Sequence, residues 1–295
     1  MDGILCMNKP EGFTSFDVVA KLRGITRTKR IGHAGTLDPM ATGVLPVFLG
    51  RATKAISLLP DHTKRYTAGF QLGLTSDTLD STGTILSRSH STLTQQELLA
   101  ALEQYRGTIS QIPPMYSALK VEGKRLYELA RQGKTVERKP RKVEIFQLEL
   151  LSFDTKLQTG VLDVGCSSGT YIRTLCDDIG RDLGVGAVMT SLQRTEAAGF
   201  SLADSRTFDE VQQLKDDGRL EEALLPVERV FESYPRLCFG EAQARMFCNG
   251  VKLDLDRVSG VESGLHAVYN QTGQFLGLAQ PDYDTGVLRI QKLFV

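Results

Sequence analysis

The chain has 295 residues, of which 41% are hydrophobic and 24% charged, and its 35 basic residues equal its 35 acidic residues in number. This composition is typical of a soluble globular protein, and the length favours one large domain followed by a smaller one. No run approaches the ~18 apolar residues of a membrane span, and the N-terminus lacks the basic start and apolar core of a signal peptide. We therefore expect a cytoplasmic protein without membrane attachment.

Periodicity and capping residues predict strands and helices that interleave without a regular strand–helix–strand repeat. In chain order the expected elements are a strand at Ile4–Met7, a helix at Ser15–Leu22, a strand at Val44–Leu49, a helix at Arg51–Leu59, a strand at Arg65–Leu72, a polar loop at Thr75–Gly83, helices at Thr94–Tyr105 and Lys124–Gln132, strands at Val143–Phe153 and Gly160–Cys166, and a helix at Thr170–Leu183. The pattern favours an α+β fold with a mixed or antiparallel central sheet and flanking helices.

The composition changes after the charged helical segment at 207–223. Pro226 and Pro235 flank a short connection, beyond which short β-type runs alternate with Gly, Asp and Asn turns. We therefore predict a large domain over residues 1–232 and a small β-rich domain over residues 233–295.

The net charge of zero conceals an asymmetry. Residues 201–295 hold 10 basic and 15 acidic residues, which leaves 25 and 20 for residues 1–200. Two basic clusters stand out, one at Lys21–Arg30 and one at Lys120–Lys142. Such runs are often only solvated surface, but two of them in a neutral protein suggest a polyanionic partner.

The five cysteines and four histidines are scattered along the chain, and no CxxC pair occurs. This spacing does not suggest a zinc site or a disulfide framework. We expect free thiols and no bound metal.

The segment from Gly32 to Val47 places His33 and Asp38 on a glycine-rich loop that leads into a buried strand. Two interpretations are open. Asp38 before Pro39 is a common way for a helix to begin, and caps far outnumber catalytic carboxylates. The other interpretation makes Asp38 a reactive carboxylate. Residue types alone favour the cap.

Five separated segments together resemble the TruB family of tRNA pseudouridine synthases. They are Asn8–Ser15, Gly32–Pro39, Lys64–Tyr66 with Gly73 and Thr75–Asp80, Pro113–Lys120, and Gly169–Leu175. The residues after about 232 are more loosely similar to the PUA RNA-binding domain.

The resemblance implies a pseudouridine synthase fold and the isomerisation of uridine 55 in the T loop of tRNA. It implies no cofactor and no metal. Asp38 matches the essential aspartate of the family, which acts as a nucleophile or as a base, and the sequence leaves this choice open. The target uridine must be flipped out of the folded loop to reach it.

The resemblance also assigns further roles. Arg173 is expected to pair with Asp38 and keep it ionised, and Tyr66 to stack on the flipped uracil and join the catalytic group. The residues expected to contact the substrate are His33, Tyr66, Tyr171, Leu192 and Lys9. For Lys9, structural support is an equal alternative to a contact with RNA.

One departure is visible: Gln193 precedes Arg194 where the family usually has two basic residues.

Two other functions compete with the synthase, an aspartate-nucleophile phosphotransferase and a non-catalytic RNA-binding protein. The first normally needs further acids to hold Mg²⁺, and no second carboxylate lies within two residues of Asp38. We expect a monomer that binds the T stem-loop of tRNA without an obligate protein partner.

Overall fold

The computed structural model describes residues 1–121 and 123–295. In chain order its strands are β1 (Gly3–Lys9), β2 (Ile31–His33), β3 (Thr42–Leu49), β4 (Lys64–Leu72), β5 (Leu74–Ser76), β6 (Ile85–Arg88), β7 (Gly107–Gln111), β8 (Lys120–Val121), β9 (Lys124–Arg125), β10 (Arg141–Asp154), β11 (Thr159–Cys166), β12 (Ala187–Ala197), β13 (Phe200–Ser201), β14 (Arg236–Phe239), β15 (Leu253–Asp254), β16 (His266–Asn270), β17 (Phe275–Asp282) and β18 (Val287–Leu293). The α-helices are α1 (Ser15–Thr26), α2 (Gln95–Glu103), α3 (Leu126–Arg131), α4 (Ile172–Asp182), α5 (Phe208–Asp216) and α6 (Glu241–Cys248). None of these helices is long and apolar enough to cross a membrane.

A large mixed sheet forms the centre of the molecule. Its strand order is β1-β3-β12-β4-β11-β10-β7, with β2 added beside β3 and β13 beside β12. Strands β3 and β12 run parallel, and the remaining neighbours are antiparallel. This confirms the predicted α+β class with a mixed central sheet.

The sheet is covered on both faces where β1 and β3 lie. Leu5 and Met7 of β1 pack in one cluster with α1 and α5, whereas Ile4 and Cys6 pack on the other face with the 3-10 segment Gly50–Leu58. Alternate residues of a strand point to opposite faces, so both sets must be apolar. Burial on both faces makes this part of the sheet a rigid platform beside the loop of Asp38.

Local signals determine where several elements begin. Thr14 caps α1 by accepting a hydrogen bond from the Asp17 amide, and the Asp17 carboxylate accepts one from the Thr14 amide in return. The same arrangement at Thr94 begins α2, as the sequence predicts.

Three predicted elements need correction. Arg51–Leu59 lies in a 3-10 helix over Gly50–Leu58 rather than an α-helix. The predicted helix at Lys124–Gln132 shortens to α3, because β9 occupies its start. The predicted polar loop at Thr75–Gly83 begins inside β5, which pairs with β6. Part of the Lys120–Lys142 basic cluster, residue 122, lies outside the described residues.

The C-terminal part is a second, five-stranded sheet of order β14-β16-β17-β18-β15. It begins at Arg236, shortly after the predicted boundary. Phe231, which precedes the boundary, stacks on Phe275 at 5.9 Å and packs against Phe294 at 5.7 Å between ring centroids. These rings belong to the cluster that also buries Ile4 and Phe48 of the central sheet, so the two sheets share one apolar contact.

Candidate active site

Asp38 lies in the loop that joins β2 to β3. The Ala41 amide donates to the Asp38 carbonyl at 3.1 Å, and the chain enters β3 at Thr42. This closes a turn around Pro39, and no helix begins there. The helix-cap interpretation of Asp38 is therefore wrong, and a tight turn holds the carboxylate.

Lys9 supports this turn from inside the protein. Its ammonium donates to three backbone carbonyls, those of Pro10 at 2.8 Å, Phe13 at 2.6 Å and Pro39 at 3.2 Å. Burial lowers the pKa of Lys9 to about 8. The side chain has no exposed surface, so this geometry matches the support interpretation and leaves no Lys9 atom free to contact RNA.

The N-terminal end of α1 fixes the loop at two further points. The Leu37 amide donates to the Ser15 hydroxyl at 2.9 Å, and the Gly12 amide donates to the Pro39 carbonyl at 2.8 Å. Backbone groups on both sides of Asp38 are thus bonded to one segment, which limits the movement of the carboxylate.

Arg173 and Asp38 form an ion pair with 3.0 Å between Arg173 Nη2 and Asp38 Oδ2. This confirms the predicted pairing. Arg173 stands in the first turn of α4, where a positive charge is unfavourable beside the helix dipole, so carboxylates must compensate it. Its guanidinium also donates to the carbonyls of Thr78 at 3.2 Å and Tyr116 at 2.9 Å.

A second carboxylate, Asp80, faces the same guanidinium at 3.6 Å. Asp80 is buried, and its Oδ1 accepts hydrogen bonds from the Thr78 hydroxyl at 2.7 Å and from the amide and hydroxyl of Thr82 at 3.0 and 2.6 Å. Sequence reasoning assigned Asp80 no role. The signal was the threonine two positions before and after it, a spacing typical of a carboxylate that bonds its own loop.

The electrostatic environment makes Asp38 a more basic carboxylate than an exposed aspartate. Burial raises its pKa, the charge of Asp80 adds to this effect, and Arg173 opposes it. Asp38 nevertheless keeps 39% of its side chain exposed, against 6% for Arg173. Asp38 is thus bonded to Arg173 on one side, and its other side is accessible to solvent.

Tyr66 and Leu192 belong to the apolar cluster that also contains Leu37, the residue before Asp38. Tyr66 is on β4 and Leu192 on the adjacent β12, and each exposes less than a tenth of its surface. Burial raises the pKa of Tyr66 to about 12, so its phenol stays protonated at neutral pH. The apolar cluster thus reaches the residue next to Asp38, and the Tyr66 phenol lies within it.

His33 precedes the loop of Asp38, and Tyr171 precedes the helix that carries Arg173, so both border these two segments. His33 ends β2, and burial lowers its pKa, so the imidazole is neutral at pH 7. Tyr171 precedes α4, and the Gln111 side chain bonds both its amide, at 3.1 Å, and its carbonyl, at 3.3 Å. The structure thus brings Asp38 and Arg173 into direct contact and places His33 and Tyr171 half-buried at the border.

Arg194 was noted in the sequence only for its neighbour Gln193. It is fully buried on β12, opposite Tyr66 on β4 and Gly43 on β3. Its guanidinium donates to the carbonyls of Val44 at 2.7 Å and Gly35 at 2.9 Å, which ties the loop of Asp38 to the sheet. An arginine in a strand of mixed polarity gives no periodic signal of such burial.

Within residues 1–121 and 123–295, no three His, Cys, Asp or Glu side chains gather in a way that could hold a metal ion. Asp38 and Asp80 both face Arg173. Both carboxylates therefore have the Arg173 guanidinium as their counter-charge.

The chain matches two family models, the N-terminal domain of TruB family pseudouridylate synthase over residues 23–172 and the C-terminal domain of tRNA pseudouridylate synthase B over residues 173–232. It is 45% identical to tRNA pseudouridine synthase B of Dehalococcoides mccartyi strain CBDB1, over all of this chain and 97% of that protein. It is 37% identical to tRNA pseudouridine synthase B of Clostridium kluyveri, over the full length of both.

Solved structures share the fold. The chain superposes on the structure described as a Cbf5-Nop10-Gar1 complex with a TM-score of 0.76, at 26% identity, over 99% of this chain and 85% of that one. It also superposes on an H/ACA RNP bound to a substrate RNA containing 2'-deoxyuridine, with a TM-score of 0.75 at 23% identity, over 99% of this chain and 85% of that one. Fold and site together define a pseudouridine synthase. The chain belongs to the TruB family of pseudouridylate synthases.

Proposed function

We propose that this protein isomerises uridine 55, in the T loop of tRNA, to pseudouridine. The observation that carries the proposal is the partly exposed Asp38 carboxylate, ion-paired to the buried Arg173 inside the segment that matches the family. Relatives of the whole chain are named tRNA pseudouridine synthase B.

The chemistry requires one carboxylate. The glycosidic C–N bond breaks, the uracil rotates, and a C–C bond forms, with no net redox change and no group lost to solvent. Asp38 starts this sequence in its ionised form, either as a nucleophile or as a base that removes a proton from the sugar. Arg173 holds Asp38 ionised when the bound RNA excludes water.

The target base leaves the folded loop and enters the pocket before reaction. His33, which is neutral, helps to displace the nucleotide, and Tyr66 stacks on the uracil. Tyr171 and Leu192 line the uracil pocket. The burial of Tyr66 and Leu192 in one cluster supports these roles, because an apolar wall favours a planar base over water.

The rest of the tRNA contacts the basic clusters Lys21–Arg30 and Lys120–Lys142. The first cluster extends from α1 to the strand that leads to Asp38, which supports a contact with phosphates that flank the flipped base. Residues 233–295 form a PUA-like RNA-binding domain that touches the tRNA with one face only. These residues hold six basic and six acidic side chains, and the net charge of −5 over residues 201–295 comes from residues 201–232. The protein acts as a monomer without an obligate protein partner.

The test is conversion of an unmodified tRNA transcript in the presence of a chelator, with pseudouridine mapped chemically along the whole RNA. We expect product at position 55 alone. Product at another uridine would refute the assigned position. Tight binding without product would instead indicate a non-catalytic RNA-binding protein.

A further inference from the structure

Two cationic side chains meet beneath the exposed turn at Gly35, three residues before Asp38. A Cβ added to Gly35 would lie 3.2 Å from Arg194 Nη1 and 3.5 Å from Lys64 Cε. Both side chains are therefore in contact range of the same turn. Two like charges beside the same turn repel each other, which raises the free energy of the folded protein unless an anion lies nearby.

The described residues provide no counter-charge for this pair. Within the described part of the chain, neither Lys64 nor Arg194 has a carboxylate in ion-pair distance, and Lys64 makes no side-chain hydrogen bond. Arg194 has no exposed surface, and its Nη1 is buried without a hydrogen-bond partner. Burial and the charge of Arg194 both lower the pKa of Lys64. A buried cation without a counter-charge is costly, and a second cation beside it adds to the cost, so the pair calls for an explanation.

The next residue along the strand shows the contrast. Arg65 points to the opposite face of β4, where it pairs with Asp163 at 2.6 Å and Glu196 at 3.5 Å. Lys64 shares its face with Tyr66, because residues two apart in a strand point the same way. Arg65 is thus neutralised by two carboxylates, whereas Lys64 has no carboxylate in ion-pair distance among the described residues.

We propose that Lys64, backed by Arg194, forms an anion subsite beneath the Gly35 turn for a phosphate of the RNA strand that carries the target uridine. Lys64 Nζ makes the contact, since Lys64 is half-exposed and Arg194 is not. Arg194 contributes positive potential and holds the turn through the Gly35 carbonyl. This proposal rests on the proposed function, because it requires an RNA substrate.

The subsite predicts opposite effects of one substitution on folding and on binding. Lys64→Met removes the repulsion with Arg194, so the free protein should unfold at a higher temperature. The same variant loses one phosphate contact, so it should bind RNA less tightly. A lysine that served only to support the fold would give a lower unfolding temperature and an unchanged salt dependence of binding.

The experiment measures binding of unmodified tRNA transcript between about 50 and 200 mM salt, with every variant in an Asp38→Asn background to prevent turnover. For Lys64→Met we expect the slope of log K against log salt to shrink by about one. Lys64→Arg, which keeps the charge, should retain the parent slope. The matched control is Lys156→Met, in the exposed turn between β10 and β11 at the opposite end of β4, and it should also retain the parent slope.

The outcomes separate the two proposals. A Lys64→Met slope equal to the parent slope, while the wild type converts the transcript, would refute the subsite alone. If Lys156→Met reduced the slope of log K against log salt as much as Lys64→Met does, the subsite would also be refuted. The loss would then reflect the total charge of the protein and not a phosphate contact at Lys64. If the parent bound no tRNA and the wild type made no pseudouridine, the proposed function would fail with it.

Discussion

The guanidinium of Arg173 lies 3.0 Å from the carboxylate of Asp38, yet the two side chains differ sharply in exposure, at 6% and 39%. The cation is enclosed by protein, and the anion faces the solvent. Asp38 is therefore held in one orientation while its other side stays free for a substrate.

Arg173→Met should lower kcat at least about 100-fold, because Asp38 loses its counter-charge and Asp80 is left buried and unpaired. Removal of one partner from the buried Arg173–Asp80 pair should also cost about 3–5 kcal/mol of unfolding free energy. Single-turnover kinetics and urea unfolding measure the two effects. Adding Asp80→Asn should recover part of the lost stability, and failure to recover any would contradict the pairing.

Asp80→Asn should lower kcat roughly 10- to 100-fold and leave KM nearly unchanged, since Asp80 orients Arg173 and touches no substrate. Asp77→Asn is the matched control on the same loop, because Asp77 is exposed and its carboxylate accepts a hydrogen bond from the Thr84 amide. Steady-state kinetics of both variants on the tRNA transcript measure kcat and KM separately. Equal losses in both variants would show that only the folding of the loop matters.

The activity should fall at acid pH with a midpoint above the ordinary aspartate pKa of about 3.9. The sign follows from burial, which raises the pKa of Asp38, so protonation removes the reactive carboxylate at a higher pH than for an exposed aspartate. In Arg173→Lys, whose shorter side chain pairs less well, the midpoint should move further upward. The measurement is kcat/KM against pH, and loss of the acid limb in His33→Gln would assign the limb to His33 instead.

Gly43→Ala should destabilise the protein by more than about 2 kcal/mol. Gly43 has a φ of +100°, and an added Cβ would lie 2.2 Å from the Arg194 carbonyl in the parallel pair of β3 and β12. Gly12→Ala is the control, with a φ of +81° and no atom within 4 Å of the added Cβ, and should cost about 1–2 kcal/mol. Equal losses by urea unfolding would refute the steric argument.

The sequence predicted those features whose causes are local. The predicted helix at Ser15–Leu22 begins where α1 begins, and the predicted strand at Val44–Leu49 lies within β3. The helix-cap interpretation of Asp38 failed because β3 begins at Thr42, three residues after Pro39, which leaves no room for a helix after Asp38.

The parts that escaped prediction depend on tertiary contacts. Strand β12 carries polar and apolar residues without regular alternation, since both its faces are partly enclosed, so periodicity did not indicate a central strand. Asp80 meets Arg173 across a separation of more than ninety residues. The resemblance to the family indicated Asp38 and Arg173, and it included Asp80 in a matching segment but assigned it no role.

The most direct test of the account is the Asp38→Asn variant, assayed for single-turnover conversion and for affinity with the same unmodified tRNA transcript. The account predicts no detectable pseudouridine and an affinity within about twofold of the wild type, because the variant keeps the shape of the side chain and loses only its charge. Conversion at a rate near that of the wild type would contradict the central role of Asp38.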